Sequence, residues 1–266
     1  MSDHLVYALD VSSHQGTDLG PLVERHKPGH VIIKAPCSFE LGHLPQIFRQ
    51  QVASMQRFPD VTLGMYGWAF QADEPEKMVR SSVELWAETV GHKPPVVWID
   101  CETYGPDING FSDDGPSVMW MRIAGEVLDR MGVRKGIYSA PLWINQRWGS
   151  NSYLLADWLL WLAHWDGNPQ LSSSFMPLYD WHELAAKQWA VLLPGQEEID
   201  RDVIRYEYTV APKATDETSE LTTLRSQVEG LRIALDDVVE WRMRPALTEM
   251  QAALDEARRI RDQFLA

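Results

Sequence analysis

Cysteine is scarce in this chain of 266 residues, which contains only Cys37 and Cys101. Two cysteines are too few for the disulfide framework that stabilises small secreted proteins. Cys101 lies between two acids at the end of an apolar segment, and we interpret it as a small buried side chain. A cysteine-histidine hydrolase is therefore a weak alternative.

Basic residues are also few. The chain has 24 Lys and Arg against 38 Asp and Glu, which gives a formal net charge of −14. Phosphate backbones are bound by clustered Lys and Arg, so this balance argues against a nucleic-acid partner. The same charge makes long-range attraction to an anionic polymer unfavourable.

Long apolar runs are absent as well. No stretch reaches the roughly 20 apolar residues of a membrane span. The start, Met1-Ser2-Asp3-His4, has no basic region followed by an apolar segment, so we expect no signal peptide. A protein of this kind stays in the cytoplasm unless another route releases it.

Aromatic and apolar residues are present in quantity. Apolar residues make up 45% of the chain, with 12 Trp and 8 Tyr, which is typical of a globular protein with a packed core. The length suffices for one barrel domain of about 200 residues and an appendage. We expect most of the tryptophans in the core and about two to four of them at a ligand.

Apolar segments of strand length alternate with segments of helical spacing. We predict strands over 31–35, 61–66, 96–100 and 136–138, and helices over 44–58, 75–90 and 116–131. Strand followed by helix at intervals of about 30 to 40 residues indicates a barrel or a doubly wound sheet. The polar stretch 103–115 follows a strand directly, where such folds place substrate loops.

The most informative of these segments is Val96-Val97-Trp98-Ile99-Asp100-Cys101-Glu102. Side chains two apart on a strand point to the same side, so Asp100 and Glu102 project together while Cys101 turns away. Two adjacent carboxylates repel each other unless one keeps its proton. Such a pair suits general acid chemistry, as in glycoside hydrolysis, although half of a metal site or a solvated strand end also fits.

Two further acids follow apolar segments far away in the sequence. Asp10 ends a short run near the N-terminus, and Asp200 lies in Ile199-Asp200-Arg201-Asp202-Val203, a late segment with a second acid. Parallel barrels gather residues from distant strand ends into one site. The pattern predicts a single convergent acidic cleft.

The chain resembles the family 25 glycoside hydrolases, the Chalaropsis-type lysozymes. The resemblance covers roughly residues 4 to 206 and rests on eight segments in the family's order. They are Leu9-Asp10-Val11-Ser12-Ser13-His14-Gln15-Gly16, Val31-Ile32-Ile33-Lys34-Ala35, Leu63-Gly64-Met65-Tyr66-Gly67-Trp68, Trp98-Ile99-Asp100-Cys101-Glu102, Gly136-Ile137-Tyr138-Ser139, Leu160-Trp161-Leu162-Ala163, Lys187-Gln188-Trp189 and Ile199-Asp200-Arg201-Asp202-Val203-Ile204.

This resemblance implies an α/β fold, an irregular TIM-like (β/α)5(β)3 barrel. It also implies a peptidoglycan hydrolase that cleaves the β-1,4 bond between N-acetylmuramic acid and N-acetylglucosamine. Glu102 matches the family's general acid and Asp100 its partner on the same strand, while Asp10 and Asp200 match the further acids of the cleft. Direct attack by water and participation of the substrate's acetamido group both remain open.

The wall of the cleft departs from the family pattern. Tyr66-Gly67-Trp68 stands where many members have Tyr-His-Phe, and Gln188-Trp189 stands where Gln is often followed by Tyr. These changes bear on substrate preference more than on the chemistry. We take Tyr66, Trp68, Tyr138, Gln188 and Trp189 as substrate-binding residues, although Tyr66 and Tyr138 fit buried tyrosines equally well.

The chain changes character after about residue 208. We predict a catalytic barrel over 1–208, a polar linker over 209–219 and a helical, coiled-coil-like segment over 220–266. In the last segment apolar residues alternate spacings of three and four, and Pro245 separates two such seams. Narrow seams of this kind favour self-association or attachment to a larger particle, with a folded-back hairpin as the alternative.

Other functions compete with the muramidase. The barrel could be a structural or wall-binding part of a bacteriophage particle with little activity, or it could hydrolyse chitin. We expect no cofactor and no metal, because the His residues show no ligand spacing beside the acids. The absence of an export signal favours bacteriophage origin, either as an endolysin released from the host cytoplasm or as a part of the virion.

Overall fold

The computed structural model describes residues 4–36, 44–69, 74–102, 115–165, 167–171, 184–191 and 200–210. All of them belong to Met1–Lys213, the first of two units into which the chain divides. The predicted loop over 103–115, except Gly115, lies outside the described residues. The same holds for Cys37 and, except Thr209 and Val210, for the predicted linker and helical segment.

Eight strands close into a barrel in the order of the sequence. The strands are β1 (Leu5–Val11), β2 (His30–Lys34), β3 (Thr62–Trp68), β4 (Val96–Asp100), β5 (Arg134–Ser139), β6 (Leu159–Ala163), β7 (Leu184–Val191) and β8 (Asp200–Arg205). Strands β1 to β7 run parallel to one another, whereas β8 runs antiparallel to both β7 and β1. The carboxyl ends of seven strands and the beginning of β8 therefore meet at one end of the barrel.

A helix follows each of the first five strands. The helices are α1 (Gly20–His26), α2 (Leu44–Met55), α3 (Pro75–Val90), α4 (Val118–Met131) and α5 (Pro141–Arg147). A short 3-10 helix, Gly149–Leu155, leads from α5 to β6, and no described residue between β6 and β8 is helical. This arrangement is the (β/α)5(β)3 barrel, and it confirms the predicted fold.

The alternation of side chains along the strands produces two apolar layers. The outward layer packs against the helices and includes Leu9, Val31, Ile33, Met65, Ile99 and Ile137, together with Trp86, Met121 and Leu128 of the helices. The inward layer fills the barrel and includes Ala8, Ile32, Tyr66, Trp98, Tyr138 and Trp161. Because both faces of the sheet are covered, most strands are nearly continuous apolar runs.

The predicted elements agree with the structure to within a few residues. The ranges predicted for α3 and β4 match the observed ones, while the helix predicted over 44–58 ends at Met55. The helix predicted from residue 116 begins at Val118, because Ser117 is its N-cap and accepts a hydrogen bond from the Trp120 N–H at 3.2 Å. Strand ends differ from the predictions by one or two residues.

Small residues make room for large rings inside the barrel. A Cβ on Gly136 would lie 2.2 Å from the Trp98 ring, and one on Gly64 would lie 2.5 Å from Nε2 of His30. His30 is fully buried, and this burial lowers its pKa to about 3, so the imidazole is neutral at ordinary pH. It hydrogen-bonds the Thr62 hydroxyl at 2.8 Å.

Candidate active site

The four predicted catalytic acids lie at the same end of the barrel. Asp10 is near the carboxyl end of β1, Asp100 is the last residue of β4, and Glu102 follows two residues later. Asp200 is the first residue of β8 and pairs with Asp10 in the sheet register. Because β8 is antiparallel, its beginning reaches the end where the parallel strands finish. Distant sequence segments therefore converge as predicted.

The backbone beyond β4 stays fixed to β5. The Cys101 N–H donates to the Tyr138 carbonyl at 2.9 Å, and the Ser139 hydroxyl donates to the Cys101 carbonyl at 2.6 Å. The Cys101 side chain is buried among the helices, with its sulfur 3.7 Å from the Met121 sulfur. This confirms that Cys101 faces away from the two acids, and it places Glu102 beside Asp100 on the inner side.

The turn after Asp10 is also well fixed. Ser12 and Gln15 form a capping box, in which the Ser12 N–H donates to the Gln15 side chain at 2.7 Å. The buried Gln51 amide of α2 donates to the Ser12 carbonyl and to the Gly16 carbonyl, each at 2.6 Å. Since α2 holds this turn through buried hydrogen bonds, the Asp10 carboxyl is carried on a rigid backbone.

Gln188 on β7 connects the acids to two aromatic side chains. Its Oε1 accepts from the Tyr138 hydroxyl at 2.8 Å and from the Trp165 indole N–H at 2.6 Å. An indole N–H can only donate, so the orientation of the amide is fixed and Nε2 faces Asp10. Nε2 donates to Oδ2 of Asp10 at 3.0 Å. Gln188 thus holds the Asp10 carboxyl in a defined position.

Burial raises the pKa of both acids on the β4 side. Asp100 is 3% exposed, and burial followed by the charge of Glu102 raises its pKa well above the usual range, while Lys34 and a Trp68 hydrogen bond oppose this. Burial also raises the pKa of Glu102, opposed by a hydrogen bond from Tyr138 and reinforced by Asp10. Two carboxyls that resist ionisation together can keep a proton near neutral pH.

Tyr138 has two acceptors within reach and one hydroxyl hydrogen. It hydrogen-bonds both Gln188 and the Glu102 carboxyl. When Glu102 is protonated, its own O–H can donate to the tyrosine oxygen while Tyr138 donates to Gln188. The donor direction at Tyr138 is therefore coupled to the protonation state of Glu102.

The β8 side contains an acid that the predicted set of site residues omitted. Asp202 is fully buried, and its Oδ1 accepts from the Trp161 indole N–H at 2.9 Å. Burial raises its pKa well above the usual range, reinforced by Asp10 and Asp200. Burial also raises the pKa of Asp10 to about 6. Asp202 stands two residues after Asp200, the spacing that identified Asp100 and Glu102, so this signal was present in the sequence.

An aromatic cluster lies inside the barrel with the acids. Trp161 is at its centre, with ring centroids 4.6 Å from Tyr138, 5.7 Å from Trp98 and 6.2 Å from Tyr66. All four rings are buried. Tyr66 and Tyr138 are therefore both inside the barrel, and the Tyr138 hydroxyl is hydrogen-bonded to Gln188 of the acid network. The rings exclude water from the deep part of the site. This lowers the local dielectric constant and strengthens the hydrogen bonds and charge interactions there.

Two aromatic side chains lie nearer to solvent. Trp68, at the end of β3, has the Lys34 ammonium 3.3 Å from its ring centroid and hydrogen-bonds Asp100. Trp165 is 62% exposed while its indole N–H is held by Gln188. An exposed ring fixed at one edge offers a rigid flat surface to a ligand. Lys34 and Trp165 were not among the predicted site residues, because nothing in their local sequence indicates this convergence.

Trp189 is not placed with the other predicted site residues. Its ring lies 6.0 Å from the guanidinium of Arg201, which alternation places on the opposite face of β8 from Asp200 and Asp202. A bulge between Gln188 and Ala190 interrupts the pairing of β7 with β8 at this point. The assignment of Trp189 to the substrate wall stays a prediction, whereas the neighbouring Gln188 faces the acids.

The described residues contain no group of three or more His, Cys, Asp or Glu side chains arranged to hold a metal ion. Among the same residues, no helix has both the length and the apolar character required to cross a bilayer.

Comparisons with known proteins give a match at the level of structure. No protein-family model matches this chain, and no curated protein matches it. The muramidase from Acremonium alcalophilum has a TM-score of 0.55 at 18% identity, over 82% of this chain and 99% of that chain. A family 25 glycosyl hydrolase from Bacillus anthracis has a TM-score of 0.52 at 16% identity, over 83% and 94%.

A third solved structure is longer. The modular autolysin LytC from Streptococcus pneumoniae, in complex with a synthetic peptidoglycan ligand, has a TM-score of 0.56 at 15% identity. The match covers 76% of this chain and 47% of that one, so the chain spans about half the length of LytC. These similarities confirm the barrel fold expected from the sequence. At this level of identity they establish the fold, and the chemistry has to be argued from the site.

Proposed function

We propose that the chain is a glycoside hydrolase of the family 25 type, an N-acetylmuramidase that cleaves the β-1,4 bond between N-acetylmuramic acid and N-acetylglucosamine. One observation carries this proposal. Glu102, with a raised pKa, lies two residues from the buried Asp100 at the carboxyl end of the barrel, together with Asp10 and Asp200. The similarity to solved muramidases supports it at the level of fold.

Glu102 is the general acid in this mechanism. Its pKa is raised by burial and by the Asp10 charge, so a proton is available for the glycosidic oxygen. It is also less deeply placed than Asp100, which is almost completely buried. A general acid has to reach the leaving oxygen of a bound polymer, and Glu102 is the carboxyl on β4 that meets this requirement.

Asp100 and Asp10 would act on the sugar carbon where positive charge develops. They either stabilise this charge directly or orient the substrate's own acetamido group for attack. Oδ1 of Asp100 is buried and has no hydrogen-bond partner among the described residues, so it is available to a substrate N–H. Asp200 completes the acidic set and faces Asp10 across the pairing of β1 with β8.

Aromatic side chains would form the saccharide wall. Sugar rings present apolar faces, and Trp68 and Trp165 offer ring surfaces near solvent. Tyr138 and Gln188 would contribute hydrogen bonds close to the acids, and Tyr66 would contribute a buried edge beside Trp161. Trp189 is predicted as a further substrate contact, and its ring centroid lies 6.0 Å from the Arg201 guanidinium.

The test is the release of reducing ends from purified peptidoglycan by the full chain and by Glu102→Gln, followed by mass analysis of the fragments. We expect fragments that end in reducing N-acetylmuramic acid from the wild type. The variant keeps the shape but has no proton to give, so its rate should fall by about a hundredfold or more. Glu84→Gln, an exposed position on α3, is the matched control and should retain the wild-type rate.

The outcomes also separate the competing functions. Release from chitin without release from peptidoglycan would replace the muramidase by a related aminosugar hydrolase. No release from any wall or chitin substrate, with the chain folded, would favour a structural or wall-binding role. Equal activity of Glu102→Gln and the wild type would overturn the role of Glu102.

The setting of the enzyme is part of the same proposal. We propose that peptidoglycan strands are its partner, and that residues 220–266 mediate self-association or attachment to a particle. Bacteriophage origin, with release from the host cytoplasm or carriage in a virion, remains a prediction of the sequence. Sedimentation of the full chain and of a chain ending at residue 213, compared at several concentrations, would test the self-association.

A further inference from the structure

We propose that Asp202 is a positioning residue that stays protonated in the working enzyme. Its O–H donates a hydrogen bond to Asp10, which is thereby kept as an oriented carboxylate. The proposal goes beyond the assigned acids, since Asp202 belongs to none of the roles above. It rests on the proposed function for its kinetic part only. Its stability part can be tested on the folded protein alone.

The two carboxyl oxygens of Asp202 differ in their hydrogen-bond donors. Asp202 is fully buried, and its Oδ1 receives the Trp161 indole N–H. Its Oδ2 is buried and receives no hydrogen from any N–H or O–H group among the described residues. A buried carboxylate oxygen without a donor is destabilising, because it has lost its hydrogen bonds to water and gained none. A protonated carboxyl lowers this cost, because one oxygen then becomes a donor.

Asp202 lies beside Asp10 on the inner face of the barrel. Asp202 pairs with Ala8 of β1 and with Gln188 of β7, so it lies one step deeper than the Asp200–Asp10 pair on the same inner face. The side chains of Asp10 and Asp202 are within hydrogen-bonding reach of each other. Two carboxylates cannot form a hydrogen bond without a proton, so one of them has to supply it.

The surroundings decide which carboxyl holds the proton. Each acid has one N–H donor, Nε2 of Gln188 at 3.0 Å for Asp10 and the Trp161 indole at 2.9 Å for Asp202, so depth makes the difference. Asp10 is 8% exposed, whereas Asp202 is fully buried, and burial favours the neutral form at the deeper acid. Asp10 is therefore the acceptor and Asp202 the donor.

The other charged groups near this pair agree with the assignment. Asp10, Asp200 and Tyr7 interact electrostatically with Asp202, and the first two disfavour its ionisation. No described residue places a cation in hydrogen-bond contact with it, and the Lys187 ammonium on the neighbouring strand is bound by the Asn168 carbonyl at 3.0 Å. Asp200 interacts with Asp202, and Asp100, Glu102 and Tyr138 interact with Asp10 from the surrounding strands.

The consequence concerns the cluster as a whole. Several acids cannot all be ionised at close range in a buried site, so protons have to be distributed among them. A proton on Asp202 allows the negative charge to reside on Asp10, where developing positive charge would be stabilised. Ionisation of Asp202 at high pH would remove the donor from Asp10 and add a like charge beside it.

The experiment compares Asp202→Asn and Asp202→Leu in the full chain. Asparagine can donate its N–H to Asp10 and accept the Trp161 N–H, so it reproduces the protonated acid but cannot ionise. Leucine keeps the volume and removes both interactions. Asp60→Asn, at an exposed carboxylate, is the matched control. The measurements are the thermal unfolding midpoint and, with peptidoglycan, kcat/KM, each from pH 5 to pH 9.

The sign of the stability effect follows from linkage. A carboxyl whose pKa is higher in the folded than in the unfolded state binds more protons when folded, so it lowers stability as the pH rises toward the folded pKa. The thermal unfolding midpoint of the wild type should therefore fall further between pH 5 and pH 9 than that of Asp202→Asn. The curve of Asp60→Asn should run parallel to that of the wild type.

The kinetic expectation is rescue by the conservative variant. Asp202→Leu should lower kcat/KM by about tenfold or more, with the loss in kcat, because Asp10 loses a donor. Asp202→Asn should restore most of this loss and extend the alkaline limb of the pH profile. Parallel unfolding curves for wild type and Asp202→Asn, or loss of activity in Asp202→Asn as severe as in Asp202→Leu, would overturn the proposal.

The proposal and the muramidase assignment can fail separately. If no substrate is cleaved by the wild type, the unfolding curves still decide whether Asp202 holds a proton in the folded protein. If cleavage occurs and the curves are parallel, the muramidase stands and the role of Asp202 is rejected.

Discussion

Two pairs of acids spaced two apart, Asp100 and Glu102 at the end of β4 and Asp200 and Asp202 at the start of β8, are used differently by the structure. On β4 the first acid, Asp100, is buried and the second, Glu102, is closer to solvent. On β8 the order is reversed, because Asp200 is the less buried acid and Asp202 is fully buried. The difference follows from strand direction, because β4 ends at the same end of the barrel at which the antiparallel strand β8 begins.

The comparison separates two properties of such a pair. Spacing decides that both acids point to the same face, whereas strand direction decides which of them is deep. In both pairs the deep acid has the pKa raised well above its usual range, with burial as the main cause. Burial therefore disfavours the charged form most strongly at the deep acids, and the outer ones remain accessible to a substrate.

Each deep acid also receives a tryptophan hydrogen bond. Trp161 donates to Asp202 at 2.9 Å, and a hydrogen bond from Trp68 to Asp100 lowers the pKa of that acid. Asp100 differs in that Glu102 and Lys34 act on it, whereas Asp202 is in contact with Asp10. The two deep acids thus both have a tryptophan donor, but the charged groups beside them differ.

The largest expected effect distinguishes the two outer acids. Glu102→Gln should lower hydrolysis of peptidoglycan by about a hundredfold or more, because it removes the general acid. Asp200→Asn should cost only about tenfold, because it removes a charge and an acceptor but no transferred proton. Initial rates of reducing-end release under identical conditions check this. A larger loss in Asp200→Asn would transfer the acid role from β4 to β8.

A smaller effect is expected from the indole that binds the deep acid of β8. Trp161→Phe keeps an aromatic ring against Tyr138 and removes the donor to Asp202, so the free energy of unfolding should fall by about 1–3 kcal/mol. Urea unfolding at pH 7 measures this.

Trp86→Phe is the matched control for that experiment. Trp86 is fully buried, and its indole N–H has no hydrogen-bond partner among the described residues. Its replacement therefore removes ring area without breaking a hydrogen bond, and it should cost less than Trp161→Phe. Equal losses in the two variants would show that ring area, and not the bond to Asp202, dominates.

The smallest effect on activity is expected at the residue between the acids of β4. Cys101→Ala should lower the free energy of unfolding by about 1–2 kcal/mol, because the buried side chain packs against the helices. Its rate of hydrolysis should stay within about twofold of the wild type, since the side chain faces away from the acids. A loss of activity without a loss of stability would reopen the role of Cys101 as a nucleophile.

Much of the fold could be predicted from the sequence, because it depends on local patterns. Apolar runs and helical spacing gave the elements, and the predicted ranges of α3 and β4 match the structure. The spacing of Asp100 and Glu102 was enough to place both on one face and Cys101 on the other. The convergence of Asp10, Asp100 and Glu102 followed from the rule that parallel strands end at one side of a barrel. Asp200 reaches the same side because it begins β8, which is antiparallel to its neighbours.

Other features depended on the tertiary structure. The sequence around Asp202 has the same spacing as that around Asp100, but only the antiparallel pairing of β8 shows that Asp202 is the deep acid beside Asp10. The hydrogen bond of Trp165 to Gln188 joins residues of different elements, and no local pattern indicates it. The contact of the Trp189 ring with Arg201 likewise depends on neighbouring strands.

The division has a physical reason. The side of a strand on which a residue lies is fixed by the backbone geometry of that strand alone, so the sequence determines it. Depth, partner and protonation depend on the low-dielectric surroundings that several strands create together. The sequence by itself therefore determined the barrel and its acidic end, and only the tertiary structure decided which acids are deep and which donors hold the acids in place.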